Sequence, residues 1–524
     1  MSVESINSYD ELPYLFNAMP YTQPHRIAAI AQLFGMNPPA PETARILELG
    51  CASGGNILAT AYTFPKSRCV GVELSARQVA VAQQAIKELD LKNLVINQIN
   101  IMDFDANAGQ FDYIIAHGVY SWVSPTVREK ILQICQQHLS PMGVAYISYN
   151  TKPGWNMRGT IRDMMLYHTQ NIKDPLERVA QMRALWKFLA DATQTGQDSY
   201  SLFLNEEFKF FANSEESYLF HDFLEEENNP IYFHEFVTQA AAYQLNYLGD
   251  AHLHTMLASN FPPEIAQTLE LFKDDLVHQE QYMDFLRNRH FRHSLLCHQQ
   301  VPLKRAISAE RVTNLSVVSS LAEVQSTEIP QGKKCFINQS GNLVTDSPIV
   351  IAALTYLLEQ LPRAVPFVEL VEQTQTRLPA NITADKEAIF NHIADIILQA
   401  YTKGLIELQV GALPFVLQAG NKPTVSALAR WRVAHGLKLN NLRFENLNLE
   451  HPVVGALLPY LDGTRDRNAL VTILEGKIAD KSLQLNVKQA GQEIQIAPEQ
   501  LKELLMQALE ESLKALAKSA LLIA

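Results

Sequence analysis

A glycine-rich turn follows a short apolar stretch near the start of the chain. Ile46, Leu47 and Leu49 are apolar, as in a buried parallel strand, and glycines stand at positions 50, 54 and 55. Glycine permits backbone angles and close approaches that a side chain blocks, so a ligand could lie against bare backbone here. The spacing fits the G-x-G-x-x-G pattern of dinucleotide-binding turns poorly. For this stretch alone, an ordinary strand-to-helix turn is an equal alternative.

A carboxylate stands at the end of the next apolar stretch. Glu73 ends a run that begins at Arg68, about 20 residues after the glycine turn, as in nucleotide-binding α/β folds. Such a carboxylate can accept hydrogen bonds from two ribose hydroxyls, and its charge repels a 2′-phosphate. The alternative is that Glu73 caps the following helix, because acidic side chains suit helix N-termini. The two motifs together favour the ligand-binding interpretation.

Polar and aromatic residues follow two later strands. His117, Tyr120 and Trp122 come at or after the end of a predicted fourth strand (111–117), and Tyr149 and Asn150 end a fifth. Ligands in open α/β folds bind at the carboxyl ends of the strands, so we expect these side chains to line a site. A polar and aromatic wall suits both a cation and an incoming amine. A core histidine and packed aromatics are the alternative.

The elements that must position these residues alternate between strand and helix. Apolar periodicity predicts helices at about 25–34, 76–89 and 126–138, and strands near 46–49, 68–73, 94–99, 111–117 and 144–149. The segment 157–193 is helical, and we interpret it as an insertion. The sheet is then predicted to resume through a helix at about 232–243 and a strand at 245–252. A helical stretch at 263–289 precedes a last strand at 291–298.

Two further regions show a winged-helix pattern. After a polar connector from 303, helices are predicted from about 346, at 367–377 and at 386–403, followed by a hairpin of 404–410 with 414–417. Residues 452–524 partly repeat this, with helices at 453–461, from 467 and from 498, and a strand at 483–487. The chain lacks a basic recognition helix, so we interpret both regions as surfaces for protein contacts.

Composition limits the class of protein. The chain has 524 residues, 47% of them hydrophobic and 19% charged, and no apolar run is long enough to cross a bilayer. The N-terminus lacks a basic start followed by an apolar stretch, and the five cysteines show no C-x-x-C spacing, so we expect a cytoplasmic protein with reduced thiols. The net charge of −12 argues against nucleic acid as a partner and suits a cationic substrate such as lysine.

Three stretches together resemble a known family. They are Glu-Leu-Gly-Cys-Ala-Ser-Gly-Gly-Asn at 48–56, His-Gly-Val-Tyr-Ser-Trp at 117–122 and Ser-Tyr-Asn-Thr-Lys-Pro-Gly-Trp at 148–155. The first resembles motif I of class I S-adenosylmethionine-dependent methyltransferases, with alanine at the middle glycine. The whole resembles methyltransferases that carry a methyltransferase regulatory domain, among them the rickettsial protein-lysine methyltransferases of outer-membrane proteins. The regulatory segment matches about 218–298.

The resemblance implies a fold, a cofactor and a site. The fold class is α/β, a class I methyltransferase (Rossmann-like) sheet with helical insertions, followed by α+β winged-helix-like C-terminal domains. The cofactor is S-adenosyl-L-methionine, with Asp103 accepting from the adenine amino group and Ile101 or Met102 stacking on the ring. A plain loop aspartate is the alternative for Asp103. The expected cofactor-binding residues are Glu48, Gly50, Cys51, Ala52, Gly54, Asn56, Glu73, Leu74, Met102, Asp103 and His117. The expected catalytic residues are Tyr120, Tyr149 and Asn150, which orient the amine, with His117 and Trp122 shaping the pocket.

The expected domain order has five parts. They are a methyltransferase core with an N-terminal lid (1–155), a helical insertion (156–217), the regulatory segment (218–302), and winged-helix-like domains at 303–420 and 421–524. Tyr9, Tyr14, Tyr21 and Arg26 are candidates for the lid. Residues 221–230 form an acidic stretch without the H-E-x-x-H spacing of a metal site, so a solvated loop is expected there. A loop that faces a cationic lysine is the alternative.

The sequence also leads to expectations about binding partners and leaves two alternative functions open. A protein acceptor with lysine side chains is favoured, without nucleic acid and without stable membrane insertion. The oligomeric state is open, with a homodimer as one option. One alternative is a methyltransferase of small molecules or nucleic acids, which shares the cofactor site. Another is a noncatalytic regulator that binds the cofactor without transferring from it.

Overall fold

The N-terminal part of the protein alternates strands and helices. The structure is a computed structural model and describes residues 8–14, 16–326, 329–380, 385–448, 451–484, 488–489, 492–493 and 498–524. Its first elements are α1 (Ser8–Glu11), α2 (Pro24–Leu33), β1 (Arg45–Leu49), α3 (Gly55–Thr63), β2 (Arg68–Glu73), α4 (Ala76–Glu88), β3 (Leu94–Gln98), β4 (Phe111–Ala116), α5 (Pro125–His138) and β5 (Leu139–Asn150). A 3-10 turn, Ile101–Asp103, follows β3.

A helical segment separates β5 from the last two strands of the same sheet. The helices of this segment are α6 (Gly154–Thr169), α7 (Pro175–Thr193), α8 (Ser199–Phe211) and α9 (Glu216–Phe223). The sheet then resumes with α10 (Phe233–Ala242), β6 (Leu245–Asp250), α11 (Pro263–Leu269), α12 (Leu276–Arg287) and β7 (Phe291–His298). Both the insertion and the late return of the chain to the sheet agree with the sequence prediction.

The central sheet has the order β3-β2-β1-β4-β5-β7-β6 in the described part of the chain. The first five strands pair in parallel, and β7 runs antiparallel between β5 and β6. The chain order reverses between β1 and β4, so the carboxyl ends of these two strands flank the crevice where such folds bind ligands. The predicted α/β fold class is confirmed.

Local sequence explains where the helices of this part begin. Proline stands at the first positions of α2 and α5, where its missing N–H costs nothing. The Ser75 hydroxyl accepts from the backbone N–H of Gln78 and so caps α4. The buried residues of β1 and β4 are near-continuous apolar runs, because helices cover both faces of a parallel sheet.

A buried ionic network fixes β7 against α12. Arg292 is 1% exposed, donates to both carboxylate oxygens of Asp284 (2.7 and 2.9 Å) and to Glu280 (2.8 Å), and stacks on Phe233. Arg289 donates to the Asp250 carboxylate at 2.7 Å. Paired charges avoid the large cost of an isolated buried charge, so Arg292 can stay charged between β7 and α12. The next residue on β7 is His293.

The remaining chain forms two further units. The middle unit contains β8 (Ser316–Ser319), β9 (Ala322–Val324), β10 (Lys334–Asn338), β11 (Gly341–Thr345), α13 (Pro348–Glu359), β12 (Val365–Pro366), α14 (Phe367–Arg377), α15 (Lys386–Thr402) and β13 (Ile406–Gln409). The C-terminal unit contains α16 (Ala427–Ala434), β14 (Leu439–Asn440), β15 (Asn446–Leu447), α17 (Pro452–Leu457), α18 (Arg467–Ala479), β16 (Lys488–Gln489), β17 (Gln492–Glu493) and α19 (Pro498–Lys518).

The middle unit departs from the predicted hairpin. β13 pairs with β8, more than 80 residues earlier in the chain, and not with 414–417, which is not a strand. The backbone N–H of Val416 instead donates to Leu522 near the end of the chain. The expected polar connector also contains the hairpin β10–β11 and its neighbour β9. In the C-terminal unit, 485–487 of the predicted strand lie outside the described residues.

Apolar packing joins the middle unit to the sheet. One continuous core runs from the strands of the sheet, such as Leu47 and Tyr146, to Phe336 and Ile397 of the middle unit. The C-terminal unit has its own core, and a small cluster of Phe64 with Leu428 and Phe444 connects it to α3. The parts therefore pack as one body around the sheet.

Candidate functional site

The glycine turn has the backbone that its sequence predicts. Gly50 and Gly54 adopt positive φ angles of 66° and 83°. A Cβ at Gly50 would stand 2.5 Å from Cγ2 of Val119, so a side chain there would collide as well as strain the backbone. Ala52 also has a positive φ, of 49°. Its angles are therefore not ordinary, and alanine holds the left-handed conformation at a cost of about 1 kcal/mol.

Glu73 ties this turn to the start of α4. Its Oε2 accepts from the backbone N–H of Ala52 at 2.9 Å, and its Oε1 accepts from those of Leu74 and Ser75 at 2.9 Å each. The cap of α4 is Ser75, so the helix-cap alternative for Glu73 does not hold. Burial raises the pKa of Glu73. The carboxylate lies where the turn, β2 and α4 meet.

Glu48 and Asn56 form a second polar pair behind the turn. The Asn56 amide donates to both carboxylate oxygens of Glu48, at 3.2 and 3.3 Å. Its own oxygen accepts from the Met19 backbone N–H and from Thr22 and Gln23, so it also holds the N-terminal segment. Burial raises the pKa of Glu48 to about 8. Burial therefore favours the neutral form of Glu48 over its carboxylate.

The other expected cofactor residues differ in exposure: Leu74, Met102 and Asp103 are exposed, and Cys51 is buried. Leu74 and Met102 are 53% and 39% exposed although both are apolar, and Asp103 is exposed in the 3-10 turn after β3. Exposed apolar side chains beside a carboxylate are suited to the face and edge of an aromatic ring. Cys51 is 3% exposed, and burial raises the pKa of its thiol, so it is a packing residue.

His117 belongs to a cluster of rings at the carboxyl ends of the strands. Its Nδ1 lies 3.1 Å from the Tyr146 hydroxyl and 3.1 Å from that of Ser148. The Tyr146 hydroxyl also lies 2.6 Å from Nδ1 of His293. Tyr21, from the N-terminal segment, packs its ring against His117 and His293, at centroid distances of 5.8 and 4.6 Å. Burial lowers the pKa of His117 to about 4.

Tyr120 and Tyr149 lie in a different layer, which corrects their expected role. Both are buried, with their hydroxyls bonded to Gln239 (2.8 Å) and Ser294 (3.1 Å), and both rings pack on Phe236 of α10. Side chains alternate along a strand, so Tyr149 points to the face of β5 opposite Tyr146 and Ser148. Neither hydroxyl is presented to His117 in this structure.

Asn150 and Trp122 lie beside the segment 228–231 and Trp155. The Asn150 side chain donates to Asn228 at 3.1 Å, and its backbone N–H donates to Ser121. Trp122 is partly exposed and meets Trp155 edge to face. The segment 228–231 lies over this end of the sheet, since Asn229 donates to the Ser121 backbone and Ile231 to that of Asn150.

The acidic stretch is partly helical and holds the N-terminal segment. Residues 221–223 end α9, so this part of the predicted loop is a helix. The His221 ring pairs with the Glu225 carboxylate and, through Nε2, contacts the Leu12 carbonyl at 2.6 Å. Ser8 donates to Glu225 at 2.8 Å, and the Asp10 carboxylate accepts from Ser75. Residues 8–14 therefore lie between α9 and α4, close to Glu73.

Several site residues were missed by sequence reasoning. They are Tyr146, His252 and His293 of the ring cluster; Ser148, His221 and Glu225 lie in stretches that the sequence analysis singled out, but without these contacts. The period-2 alternation along β5 could have singled out Tyr146. The pairing of β7 with β5 could not be read from sequence, because it depends on a contact across more than 140 residues. Within the described residues, no three side chains of metal-binding type form a metal site.

Three family models match separate parts of the chain. Residues 46–143 match "Methyltransferase domain", residues 215–298 match "Predicted methyltransferase regulatory domain", and residues 421–521 match "PKMT, C-terminal winged helix domain". An uncharacterised protein of Rickettsia prowazekii is 36% identical over 514 residues, 96% of this chain and 91% of its own length. The chain belongs to the class I methyltransferases that carry a methyltransferase regulatory domain.

Solved structures agree with this assignment. The structure of PKMT2 from Rickettsia typhi in complex with AdoHcy matches with a TM-score of 0.87 and 31% identity, over 98% of this chain and 100% of that one. A second Rickettsia prowazekii protein is 43% identical over 233 residues, 44% of this chain and 93% of its own length. AdoHcy is the demethylated form of S-adenosylmethionine, and the methyltransferase binds S-adenosylmethionine as its cofactor.

The residues around the glycine turn fit that cofactor. The positive φ angles and the close approach of Val119 keep side chains out of the turn. Two buried carboxyl groups, Glu48 and Glu73, lie on either side of it.

No helix in the described ranges is long and apolar enough to cross a membrane.

Proposed function

We propose that this methyltransferase transfers a methyl group to lysine side-chain amines of a protein acceptor. The observation that carries the proposal is the match along 98% of the chain to PKMT2, whose name is that of a protein-lysine methyltransferase. The match of 421–521 to the PKMT winged-helix domain supports it. Outer-membrane proteins are the acceptors that the family resemblance implies.

The cofactor end of the site is proposed to use the residues around the turn. Gly50, Ala52 and Gly54 leave room for the amino-acid end, and Glu73 accepts from the ribose hydroxyls. Leu74, Met102 and Asp103 meet the adenine. When bound, S-adenosylmethionine supplies a methyl group that its sulfonium already activates, so the protein needs no covalent catalyst and has to align the acceptor and exclude water.

The acceptor end must receive a neutral amine. An ammonium has no lone pair, and the ordinary lysine pKa is about 10.4. Burial lowers the pKa values of His117, His252 and His293, so these rings add no positive charge beside the sulfonium. We propose that His117 faces the amine, with Trp122 and Asn150 at the opening. Tyr120 and Tyr149 support this wall from the opposite face of β5.

We also propose the five-part division of the chain. The units are 1–155, 156–217, 218–302, 303–420 and 421–524. The contacts of Ser8 and Leu12 with Glu225 and His221 support an N-terminal lid held by the regulatory segment.

The test is transfer of labelled methyl groups to an extract that includes membrane proteins. The full-length protein is incubated with methyl-labelled S-adenosylmethionine, and labelled bands are analysed by mass spectrometry. Label on lysine side chains supports the proposal and identifies the acceptor. Label only on small molecules or nucleic acid would contradict the acceptor class, and cofactor binding without transfer would indicate a noncatalytic regulator.

Two variants control that experiment. Gly50→Arg should remove cofactor binding by filling the turn, and Glu73→Ala by removing the ribose acceptor. Neither should give labelled bands, and calorimetry should show lost affinity. Unchanged affinity in both would contradict the site, and the folded state is verified for each by thermal unfolding.

A further inference from the structure

A chain of three side chains leads from the cleft into the protein. His117 follows β4, Tyr146 lies on β5 and His293 lies on β7, which are neighbours in the sheet. The Tyr146 hydroxyl lies within hydrogen-bond distance of both imidazoles, at 3.1 Å from Nδ1 of His117 and 2.6 Å from Nδ1 of His293. His117 is partly exposed, whereas Tyr146 is fully buried. This row of three side chains therefore has an outer end at His117 and an inner end at His293.

The distances indicate which way the protons point. A phenol has one proton, so it can donate to only one of the two rings and must accept from the other. Bonds donated by O–H are typically shorter than those donated by N–H. The 2.6 Å contact fits donation from Tyr146 to His293, which leaves the Tyr146 oxygen to accept from Nδ1–H of His117, a proton that it shares with Ser148 at the same distance of 3.1 Å. Nε2 of His117 is then an acceptor.

The outer nitrogen of His117 is available to a substrate. Both hydrogen bonds of its ring are made through Nδ1, to Tyr146 and Ser148. Within the described part of the chain Nε2 makes no hydrogen bond, and the residue is partly exposed. Ser148 accepts from the Gly118 backbone N–H at 2.8 Å, which fixes the backbone next to His117.

We infer that His117 accepts the proton of the substrate ammonium and that Tyr146 and His293 carry it inward. This inference rests on the proposed lysine acceptor. The ammonium gives one proton to Nε2 of His117, Nδ1–H of His117 passes to the Tyr146 oxygen, and the Tyr146 proton passes to Nδ1 of His293. The freed lone pair of the amine forms the N–C bond while the S–C bond breaks and its electrons stay on sulfur. His293 then releases one proton to water.

The surroundings of the inner end let His293 hold a proton only transiently, because burial keeps its pKa well below the usual value. His293 faces the Asp250 carboxylate, which Arg289 holds at 2.7 Å, and it also packs against His252, Tyr21 and Phe291. Asp250 favours the protonated form of His293, whereas Arg289, His252 and burial oppose it. The charge would be held only briefly and away from the sulfonium. In the proposed relay, His117 and Tyr146 separate the charge on His293 from the sulfonium.

The test replaces Tyr146, which is a positioning residue. Tyr146→Phe keeps the buried ring and removes the link, so the pH dependence of kcat should change. With membrane-fraction protein as acceptor, we expect the kcat of Tyr146→Phe to be about 100-fold below that of the wild type at pH 7. The difference should shrink as the pH rises towards the pKa of the acceptor amine, because the amine then loses its proton without the relay. Tyr113→Phe, which removes another buried hydroxyl, bonded to Pro39, is the matched control and should keep the wild-type profile.

A second readout needs neither cofactor nor acceptor. Nitrogen NMR of the imidazoles in the cofactor-free protein should show His117 with its proton on Nδ1 and His293 with its proton on Nε2. Tyr146→Phe should remove this difference, and Tyr113→Phe should keep it. His117 with its proton on Nε2, or a Tyr146→Phe profile parallel to wild type, would overturn the relay. Wild-type protein that labels no lysine would instead overturn the proposed function, and the relay with it.

Discussion

At the scale of single residues, the proposed cofactor end of the site contains two buried carboxyl groups and a strained alanine. Glu48 is buried and its pKa rises to about 8, above the value of 4.5 in an unfolded chain. Folding therefore favours the neutral form, and the stability this gives is complete below pH 4.5 and is lost as the pH rises through about 8. A cation bound nearby reverses the preference.

Binding of the cofactor should therefore release protons. S-adenosylmethionine is a cation, so its arrival favours the ionised form of Glu48, and at pH 7 about one proton should leave for each cofactor bound. Calorimetry in two buffers with different ionisation enthalpies measures this number. Glu48→Gln has no proton to lose and should release close to none. Equal release by the variant would place the titrating group elsewhere.

Replacing Ala52 with glycine should stabilise the protein or leave its stability unchanged. Its positive φ is costly for alanine and free for glycine, so Ala52→Gly should leave the free energy of unfolding unchanged or raise it by up to about 1 kcal/mol. The matched control is Ala80→Gly, at an exposed position inside α4, which should lower stability by about 1 kcal/mol. Urea denaturation compares the two. A similar loss in both would mean that Ala52 is not strained.

At the scale of elements, the N-terminal segment is held from two sides, close to the proposed cofactor site. The regulatory segment holds it through His221 and Glu225, and α4 holds it through Ser75. Tyr9 stacks on the His221 ring at 4.3 Å. Residues 8–14 have few buried apolar side chains, so these polar contacts decide whether the segment stays closed.

Replacing His221 should open this segment. His221→Phe keeps the stacked ring but loses the bonds to Glu225 and Leu12, a cost of about 1–3 kcal/mol. Amide hydrogen exchange in residues 8–14 should become about 10- to 100-fold faster, and cofactor affinity should fall. His278→Phe, at an exposed position on α12, is the control and should change neither. Unchanged exchange in His221→Phe would show that other contacts keep the segment closed.

At the scale of the whole molecule, one carboxylate joins three parts of the chain. Glu407 of the middle unit pairs with Arg26 of α2 and, at 2.6 Å, with Arg443 of the C-terminal unit. Although burial opposes ionisation, the two guanidinium groups lower the pKa of Glu407 to about 2. The stability that it contributes is present above its ordinary pKa of 4.5 and is lost as the pH falls through about 2.

Neutralising Glu407 should loosen the assembly of the three parts. Glu407→Gln removes negative charge that balances the buried guanidinium of Arg443. The free energy of unfolding at pH 7 should therefore fall by about 1–3 kcal/mol. The control is Glu359→Gln, whose ion pair with Arg377 is exposed and should contribute less than about 1 kcal/mol. Thermal unfolding of both variants measures the difference. Equal effects would mean that Glu407 acts only as a surface ion pair.

Local signals explain which parts of the fold were predictable. The strands and helices up to β5, and even β6 and β7, follow apolar periodicity, glycine and proline, which act within a few residues of each other. The predicted hairpin at 404–417 was wrong because its true partner, β8, lies far away in sequence and carries no mark of the pairing. The helix α16 and the hairpin β10–β11 were missed because their patterns are short and weakly periodic.

The sequence by itself determined the α/β class, the glycine turn and the family, since each depends on residue types at fixed local spacing. Only the tertiary structure decided what each face of a strand meets. Tyr149 and Tyr146 are three residues apart, so strand alternation places them on opposite faces, but the sequence does not show that one face meets Phe236 and the other His117 and His293. The reason is that sheet pairing and the packing of α10 decide what lies against each face, and those contacts join residues more than 80 positions apart.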